Sequence, residues 1–489
     1  MLPSLGIGRI IKSSIRHVSR KRRGGGGGGV VLFSRSLCVR TGGDNGSDAE
    51  STSPPPSTAA ADHYDVVISG GGMVGFAMAS ALGKSARLSD RRVLLLEGGA
   101  ERVWDLSPDY SNRVCALNPT TQHLFTSLGV WQHILDMRAQ PVKRMQVWEA
   151  CSEAMITFEG DEERPVAHMV ENDVTLQALK SLIPSHVQVE YNSRVSGYQL
   201  PQDTSSTVTI TLQNGRTIST DLLIGADGVR SGVRAAMGVQ YLGWEYDQMG
   251  IVATLELSEP TDNTVAWQRF LPTGPVALLP LSEDKSSLVW STTKKTAQHL
   301  LSLSDEDFTD ALNRAIWDDK PRDARLESLH KGWLRLLETV LPWTNEGVVR
   351  QLPPSVTSVI PSSRASFPLG LGHAVHYVAP RVALIGDAAH RIHPLAGQGV
   401  NLGFGDVAIL LETLEKAVLL GADIGDERML YEYERGRQRH NMATMTSVEA
   451  LYRLYTSEAP PLVLLRSLGL SAVNLITPVK ERIMSHANG

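Results

Sequence analysis

Cysteine is nearly absent from this chain. Only Cys38, Cys115 and Cys151 occur among 489 residues, and none forms a CxxC pair. That excludes a disulfide framework and a cysteine-built zinc site. No stretch of about 18 apolar residues runs free of charge, so no membrane-spanning helix is expected. Aromatic residues are sparse at 6%, yet hydrophobic residues reach 42% and charged ones 20%, which excludes wholesale disorder. At roughly 150 residues per domain, the length points to two or three domains.

Acid is missing from one end. Residues 1–40 hold Arg9, Lys12, Arg16, Arg20, Lys21, Arg22, Arg23, Arg35 and Arg40 but no Asp or Glu, and the first acid is Asp44. The other 38 basic residues face 52 acids, so the rest of the chain carries about −14. Such a body offers phosphates no basic face, which argues against nucleic-acid binding. The start carries Ser, with Leu5, Ile7, Ile10, Ile11 and Ile15 between its charges. Residues 1–43 therefore read as an amphipathic mitochondrial or plastid transit peptide, with a basic tail lacking any address as the alternative. The Gly24–Gly29 run and the Ser/Pro/Thr/Ala stretch that follows are uncommitted chain, residues 44–61 being a linker. Folding is expected to begin near Asp62.

Tyr64–Ser69 is a short β-branched strand that runs into Gly70-Gly71-Gly72-Met73-Val74-Gly75. Gly70, Gly72 and Gly75 satisfy GxGxxG: one glycine for the turn, one for backbone approach to a pyrophosphate, one for helix–strand packing. A helical run follows to Leu82, then the strand Arg92–Leu96 ending in Glu97, 22 residues beyond Gly75. That is the spacing at which an acid reaches a ribose hydroxyl. The helix start offers unpaired N–H groups and a positive dipole end to phosphates. Strand, glycines, helix, strand and acid in this order point to a dinucleotide, without distinguishing NAD from FAD.

Two later strands end in similar turns. Asp221–Asp227 closes in Gly225-Ala226-Asp227-Gly228, and Arg381–Ile385 closes in Gly386-Asp387-Ala388-Ala389-His390. The second continues as His393-Pro394-Leu395-Ala396-Gly397-Gln398-Gly399-Val400-Asn401-Leu402-Gly403 and then an apolar helical pattern. Asp387 is placed to accept a ribityl hydroxyl, and the glycine-rich turn to set N–H groups toward the carbonyl end of a flavin.

In that order, GxGxxG, GADGxxS and GDAAHxxHPLAGQGxNLG, the motifs resemble those of the aromatic-ring flavoprotein monooxygenases. The stretch from Gly386 to Asp406, the segment Tyr110–Leu117 and the end Pro478–Arg482 are similar to the subgroup that hydroxylates ring precursors of ubiquinone. The resemblance covers roughly Asp62 to Gly489. It implies an α/β fold, with a Rossmann-like FAD-binding domain of the para-hydroxybenzoate-hydroxylase type and a smaller mixed-sheet substrate domain. It also implies that Gly70, Gly72, Gly75 and Glu97 hold the ADP half of FAD, and that Gly386 and Asp387 hold the ribityl chain. Pro394, Gly397, Gly399 and Asn401 would lie along the isoalloxazine. Arg113 would stand near the flavin and the substrate approach, or simply on the surface. Asp227 would support FAD and a visiting nicotinamide, or simply its turn. His390 and His393 belong to the flavin loop, since no carboxylate or thiol spacing completes a metal site.

The resemblance further implies a flavin hydroperoxide that hydroxylates a polyprenylated hydroxybenzoate with O2. Electrons would come from ferredoxin and ferredoxin reductase. The setting would be a multi-subunit ubiquinone-biosynthesis complex, peripheral on the matrix side of the inner mitochondrial membrane. A hydroxylase of a small soluble phenol reduced directly by NADPH, and a flavin-bound scaffold, are the alternatives. The sequence shows no Ser/His/Asp or carboxylate-pair nucleophile, as expected where the cofactor carries the chemistry.

Residues 62–235, with some substrate-domain strands among them, and 361–445 are read as the FAD-binding domain, and 236–360 as the substrate domain with a helical insertion. Strands are expected at Ile251–Leu257, Val265–Leu271, Val276–Pro280 and Leu288–Thr293. Trp244, Trp267, Trp290 and Phe270 are either pocket lining or sheet core. Asp305 to about Asn345 reads as an acidic helical insertion, and 446–489 as a C-terminal helical segment. Its apolar run either packs on the FAD domain or meets a membrane surface.

Overall fold

The computed structural model describes residues 62–152, 154–160, 163–260, 262–318, 328, 332–333, 351–457 and 459–488. The expected transit peptide and linker, Cys38 and most of the expected insertion beyond Asp318 lie outside the described residues. The chain from Asp62 builds two large sheets and a small one.

The first sheet is parallel at its centre. Its strands run in the order Val382–Leu384, Thr217–Gly225, Asp62–Ser69, Val93–Leu96 and Gln188–Glu190. Short apolar runs suit strands buried on both faces. Val66, Val67, Ile68, Leu94, Leu95, Leu222, Leu223, Ile224, Val382 and Leu384 are all buried here. Helices Met73–Lys84 and Gly399–Leu419 cover the sheet, with Phe76, Met78, Leu82, Phe404, Val407 and Leu410 in the same core.

Register then does the positioning. Ser69 pairs with both Leu96 and Gly225, and Gly225 pairs with Leu384. The strands of all three motifs are thus neighbours whose carboxyl ends stop at one level. A ligand crevice in an open α/β sheet lies just beyond such ends.

The second sheet is mostly antiparallel. Its order is His390–Arg391, Ala365–Ala374, Tyr241–Leu257, Lys285–Thr293, Gly274–Pro280, Val265–Leu271, Arg144–Glu149 and Met155–Glu159. The four strands expected between residues 251 and 293 are present, three of them starting earlier than their apolar runs. Strands from residues 144–159 and 365–391 join this sheet too. One face packs on helices Lys294–Ser302 and Asp305–Trp317 through Ile251, Trp267, Trp290, Phe308 and Leu312. Asp305, Glu306 and Asp307 occupy the first turn of the second of these helices, where the dipole favours acids. The acidic run is therefore partly a helix start.

Candidate functional site

The site begins with glycines that no other residue could replace. A Cβ on Gly75 would lie 1.9 Å from the Gly70 carbonyl oxygen, and one on Gly70 would lie 2.4 Å from the Ala226 oxygen. Gly70 also holds φ +113°, a conformation that L side chains avoid. These contacts weld the first motif onto the second. Gly72 differs: a Cβ there meets nothing within 4 Å, so it borders open space. The helix it caps has no side-chain cap bond and no acid in its first turn. Its leading N–H groups remain available to an anion.

Glu97, at the end of the second strand, accepts hydrogen bonds from Gly71 N at 2.8 Å and Gly99 N at 2.6 Å. One carboxylate thus braces the glycine turn while standing at its mouth. Asp227 is partly spent on structure. Its Oδ2 accepts from Gly232 N and Val233 N at 2.7 and 3.1 Å, capping the helix Gly232–Met237, while its buried Oδ1 has no partner. Arg234 of that helix donates to Val229 O and to Ala388 O, binding the second motif to the third.

The third motif is held by charge. Asp406 and His390 are fully buried, with His390 Nε2 donating to Asp406 Oδ2 at 2.6 Å. Arg437, from the long helix Glu427–Thr456, donates to Asp406 Oδ1 at 2.7 Å. Gly386 N donates to the same carboxylate at 2.9 Å, and Asn441 adds a further bond. Burial alone would raise the Asp406 carboxyl, but His390 and Arg437 outweigh it and hold it at about 2. Gly386 adopts φ +60°, and a Cβ on Gly403 would lie 2.7 Å from Val74, so the first and third motifs also touch.

Asp387 follows directly. It is exposed to solvent although protein surrounds it, as at the floor of a cleft, and desolvation pushes its carboxyl up against the pull of His390 and Arg391. Pro394 opens a tight turn, Gly397 closes it at φ +62°, and Gly399 begins a second helix with neither a side-chain cap bond nor a first-turn acid. His393 is buried beneath. Its Nδ1 accepts from Leu395 N at 3.1 Å, which leaves Nε2 to carry the proton facing Gln248 Oε1 at 3.4 Å. Burial lowers its pKa to about 4, with Glu449 opposing, so the ring is neutral at pH 7.

Asn401 and Arg113 both lie by the Tyr110–Leu117 segment. The Asn401 side chain donates to Ala116 O and accepts from Asn118 N and Thr121 Oγ1, so it clamps the Tyr110–Leu117 segment to the third motif. Arg113 is exposed beside that segment. Among the aromatic candidates, Phe270 is buried with Leu395 and Ile392, and its neighbour Gln268 donates to Leu395 O. Trp267 and Trp290 point to the opposite face and belong to the helix-covered core, while Trp244 is 46% exposed. Cys115 and Cys151 form no disulfide, and burial pushes the Cys115 thiol up to about 12. No cluster of His, Cys, Asp or Glu among the described residues suits a metal.

Sequence reasoning passed over Asp406, Arg437, Gln248 and Gln268. Asp406 closes the recognised third motif and could have been found there; the others carry no local signature. FAD fits what is present: a glycine cradle at one helix start, a carboxylate at the cleft floor, and a second open helix start across the same strand ends.

A family model described as FAD binding domain matches residues 63–331 and 351–448, more than half of the chain. The chain is 51% identical over 430 residues to the mitochondrial ubiquinone biosynthesis monooxygenase COQ6 of Xenopus tropicalis, covering 86% of this chain and 92% of that protein. Identity to the Homo sapiens protein of that name is also 51%, with the same coverage. A solved structure of a Klebsiella pneumoniae HpxO variant complexed with FAD superposes at a TM-score of 0.63, with 17% identity, covering 87% of this chain and 99% of that one. That likeness speaks for the fold. FAD is the cofactor of this domain and monooxygenation its class of chemistry. The chain belongs to the family of the ubiquinone biosynthesis monooxygenases, built on the FAD binding domain.

Proposed function

We propose that this chain hydroxylates the aromatic ring of a polyprenylated hydroxybenzoate intermediate of ubiquinone biosynthesis. Its place would be the mitochondrion, peripheral on the matrix side of the inner membrane. One observation carries the reading: three motif strands end in register around one cleft, in a chain half identical to relatives named for that pathway. The relatives' names and the basic start support the mitochondrion.

In this reading residues 62–235 and 361–445 bind FAD, and residues 236–360 cover the ring. Gly70, Gly72 and Gly75 admit the pyrophosphate, and Glu97 meets the ribose. Gly386 and Asp387 meet the ribityl chain, with Asp227 and Arg113 at the margins. Backbone around Pro394, Gly397, Gly399 and Asn401 lies along the flavin ring. Bound FAD supplies transfer of one oxygen atom of O2 to an electron-rich ring, the other leaving as water after two electrons and two protons are taken up. The chain's own work is placement. Neutral His393 fixes the Pro394–Ala396 turn through Leu395 N, and Phe270 with Leu395 and Ile392 forms a dry wall that keeps water back.

We further propose that electrons arrive from ferredoxin and its reductase, within a multi-subunit biosynthetic complex. The test is anaerobic, following visible flavin absorption in purified protein. Bleaching only when NADPH, ferredoxin and its reductase are all present is expected, and O2 with a polyprenylated hydroxybenzoate should then yield a product heavier by one oxygen. Rapid bleaching by NADPH alone would turn the reading toward a self-sufficient phenol hydroxylase. A reducible flavin that hydroxylates no ring would leave the scaffold.

A further inference from the structure

The C-terminal helix Pro460–Leu475 turns polar residues inward. Arg466, Ser467 and Ser471 are buried, at 3%, 2% and 6% exposure. Arg466 donates to Glu149 Oε2 at 2.5 Å and to the carbonyls of Leu454, Tyr455 and Ser457, while Ser467 Oγ donates to Glu149 Oε1. Asn474 Oδ1 accepts from Thr157 N at 3.1 Å. These polar contacts fasten the helix across the edge strand Met155–Glu159. Leu462 and Leu465, one turn apart, are 38% and 60% exposed. On the next helix, Thr477–Asn488, Val479 and Ile483 are exposed as well, at 41% and 42%. A helix on a globular body ordinarily buries its apolar stripe. This one buries Val463 together with its polar residues and leaves Leu462 and Leu465 outward.

Three further observations say what covers that face. No single helix among the described residues is long and apolar enough to cross a membrane; the pair Pro460–Asn474 and Pro478–Met484 passes by length and composition only together, and it bends by 96°. With Arg466 tied to Glu149 in the body, the pair can lie along a bilayer but not traverse it. Charge is complementary as well. In a body near −14, described residues 459–488 contain Glu481 as their only acid, beside Lys480 and Arg482 at the Val479–Ile483 face. That suits an anionic lipid surface. Finally, Leu470 and Val473 on the inner side of the first helix pack in the cluster that holds Phe270, Ile392 and Leu395 of the proposed flavin loop. The outward face therefore sits one apolar layer from the site.

We propose that Leu462, Leu465, Val479 and Ile483 form a lipid-docking face that seats the enzyme in the plane of an anionic bilayer. The choice of a bilayer over another apolar partner rests on the proposed polyprenylated substrate. The experiment is flotation of the flavin-loaded full chain with vesicles of phosphatidylcholine alone and with added cardiolipin, at high salt to silence the basic start. The variant Leu462→Asn/Leu465→Gln/Val479→Asn/Ile483→Gln should bind roughly tenfold or more weakly while keeping its flavin spectrum. Should that variant lose its flavin, the single Leu465→Gln, at the most exposed position, should still weaken binding severalfold. Wild-type protein that stays unbound, or variants that float as well as wild type, would overturn the proposal. Turnover of polyprenylated against unprenylated hydroxybenzoate in detergent reads the substrate separately, so either reading can fail without the other.

Discussion

The first and third motifs meet at one cleft yet are built by opposite means. Around Gly70–Gly75 the chain uses the absence of side chains: backbone lies against backbone, and Glu97 is the one carboxylate bonded to the turn. Around Gly386–Gly399 it uses buried charge, with Asp406, His390 and Arg437 locked at 2.6 and 2.7 Å. The difference follows from what each must hold. The first turn is fixed by its own strand and helix, one on each side. The third loop leaves the parallel sheet, joins the second sheet through His390–Arg391 and returns to a helix. Only a contact reaching across sequence can hold such an excursion.

Asp406→Ala gives the sharpest break in that comparison. It leaves Arg437 buried without its counter-charge and His390 without its hydrogen-bond acceptor, which should cost about 3–5 kcal/mol and release the loop. Chemical denaturation and flavin content should fall together. Retained stability in this variant would mean that the loop is held by packing and that the contrast is false.

The glycines give the next largest effect, and they should part company. Gly75→Ala drives a methyl into the Gly70 carbonyl and should prevent a stable fold. Gly72 sits at φ −80°, where alanine is comfortable, with open space ahead of it. Gly72→Ala should keep the unfolding midpoint of the apoprotein within about 0.5 kcal/mol while weakening FAD at least tenfold, read by flavin titration. Equal loss of folding in both would show that the first turn is merely structural.

This division also explains what the sequence disclosed. Glycine motifs are local, since strand, turn and helix follow one another within a few residues, and all three could be found by eye. The ladder of strands Val265–Leu271, Gly274–Pro280 and Lys285–Thr293 was equally legible because hairpins pair neighbours. Arg437 was not, since nothing around it in a 30-residue helix distinguishes it from Arg435 or Arg439 until the fold brings it to Asp406. Trp267 and Gln268 show the limit within a strand. Alternation says that they face opposite ways, but only the assembled sheet says which way the flavin loop lies. The C-terminal helix is the strongest case, for its composition read as an apolar element, yet Arg466, Ser467 and Ser471 are buried in it while Leu462 and Leu465 are exposed.

Acid should then separate the two supports of the third loop, with a smaller effect. His393 holds a pKa of about 4 when folded, against about 6.5 for a free histidine. Between those values the unfolded chain takes up a proton that the folded protein refuses, so stability falls as pH drops from about 6.5 to about 4, by about 3 kcal/mol. Asp406 behaves as a carboxylate depressed to about 2, whose contribution is intact above about 4 and is lost only as pH falls from there toward 2. Urea midpoints measured from pH 7 to 3 should therefore decline in two stages. His393→Asn should shrink the upper stage, which His373, also held near 4 by burial, shares, and leave the lower one. A single transition near pH 4, unchanged in that variant, would place His393 outside the folded core's proton balance.

Arg113 should show the smallest effect on the fold, and for that reason it is the cleanest probe of the cleft's mouth. It is exposed beside a segment that Asn401 already clamps to the third motif, so its side chain is not needed to hold that segment in place. Arg113→Ala should leave the unfolding midpoint within about 0.5 kcal/mol. If the guanidinium meets the ring substrate or the flavin, kcat/KM for hydroxylation should nonetheless fall, with Arg113→Lys recovering part of the loss through charge alone. An unchanged kcat/KM would return Arg113 to the surface and leave substrate approach to groups on the second sheet, with Gln268 beside Leu395 the next to test.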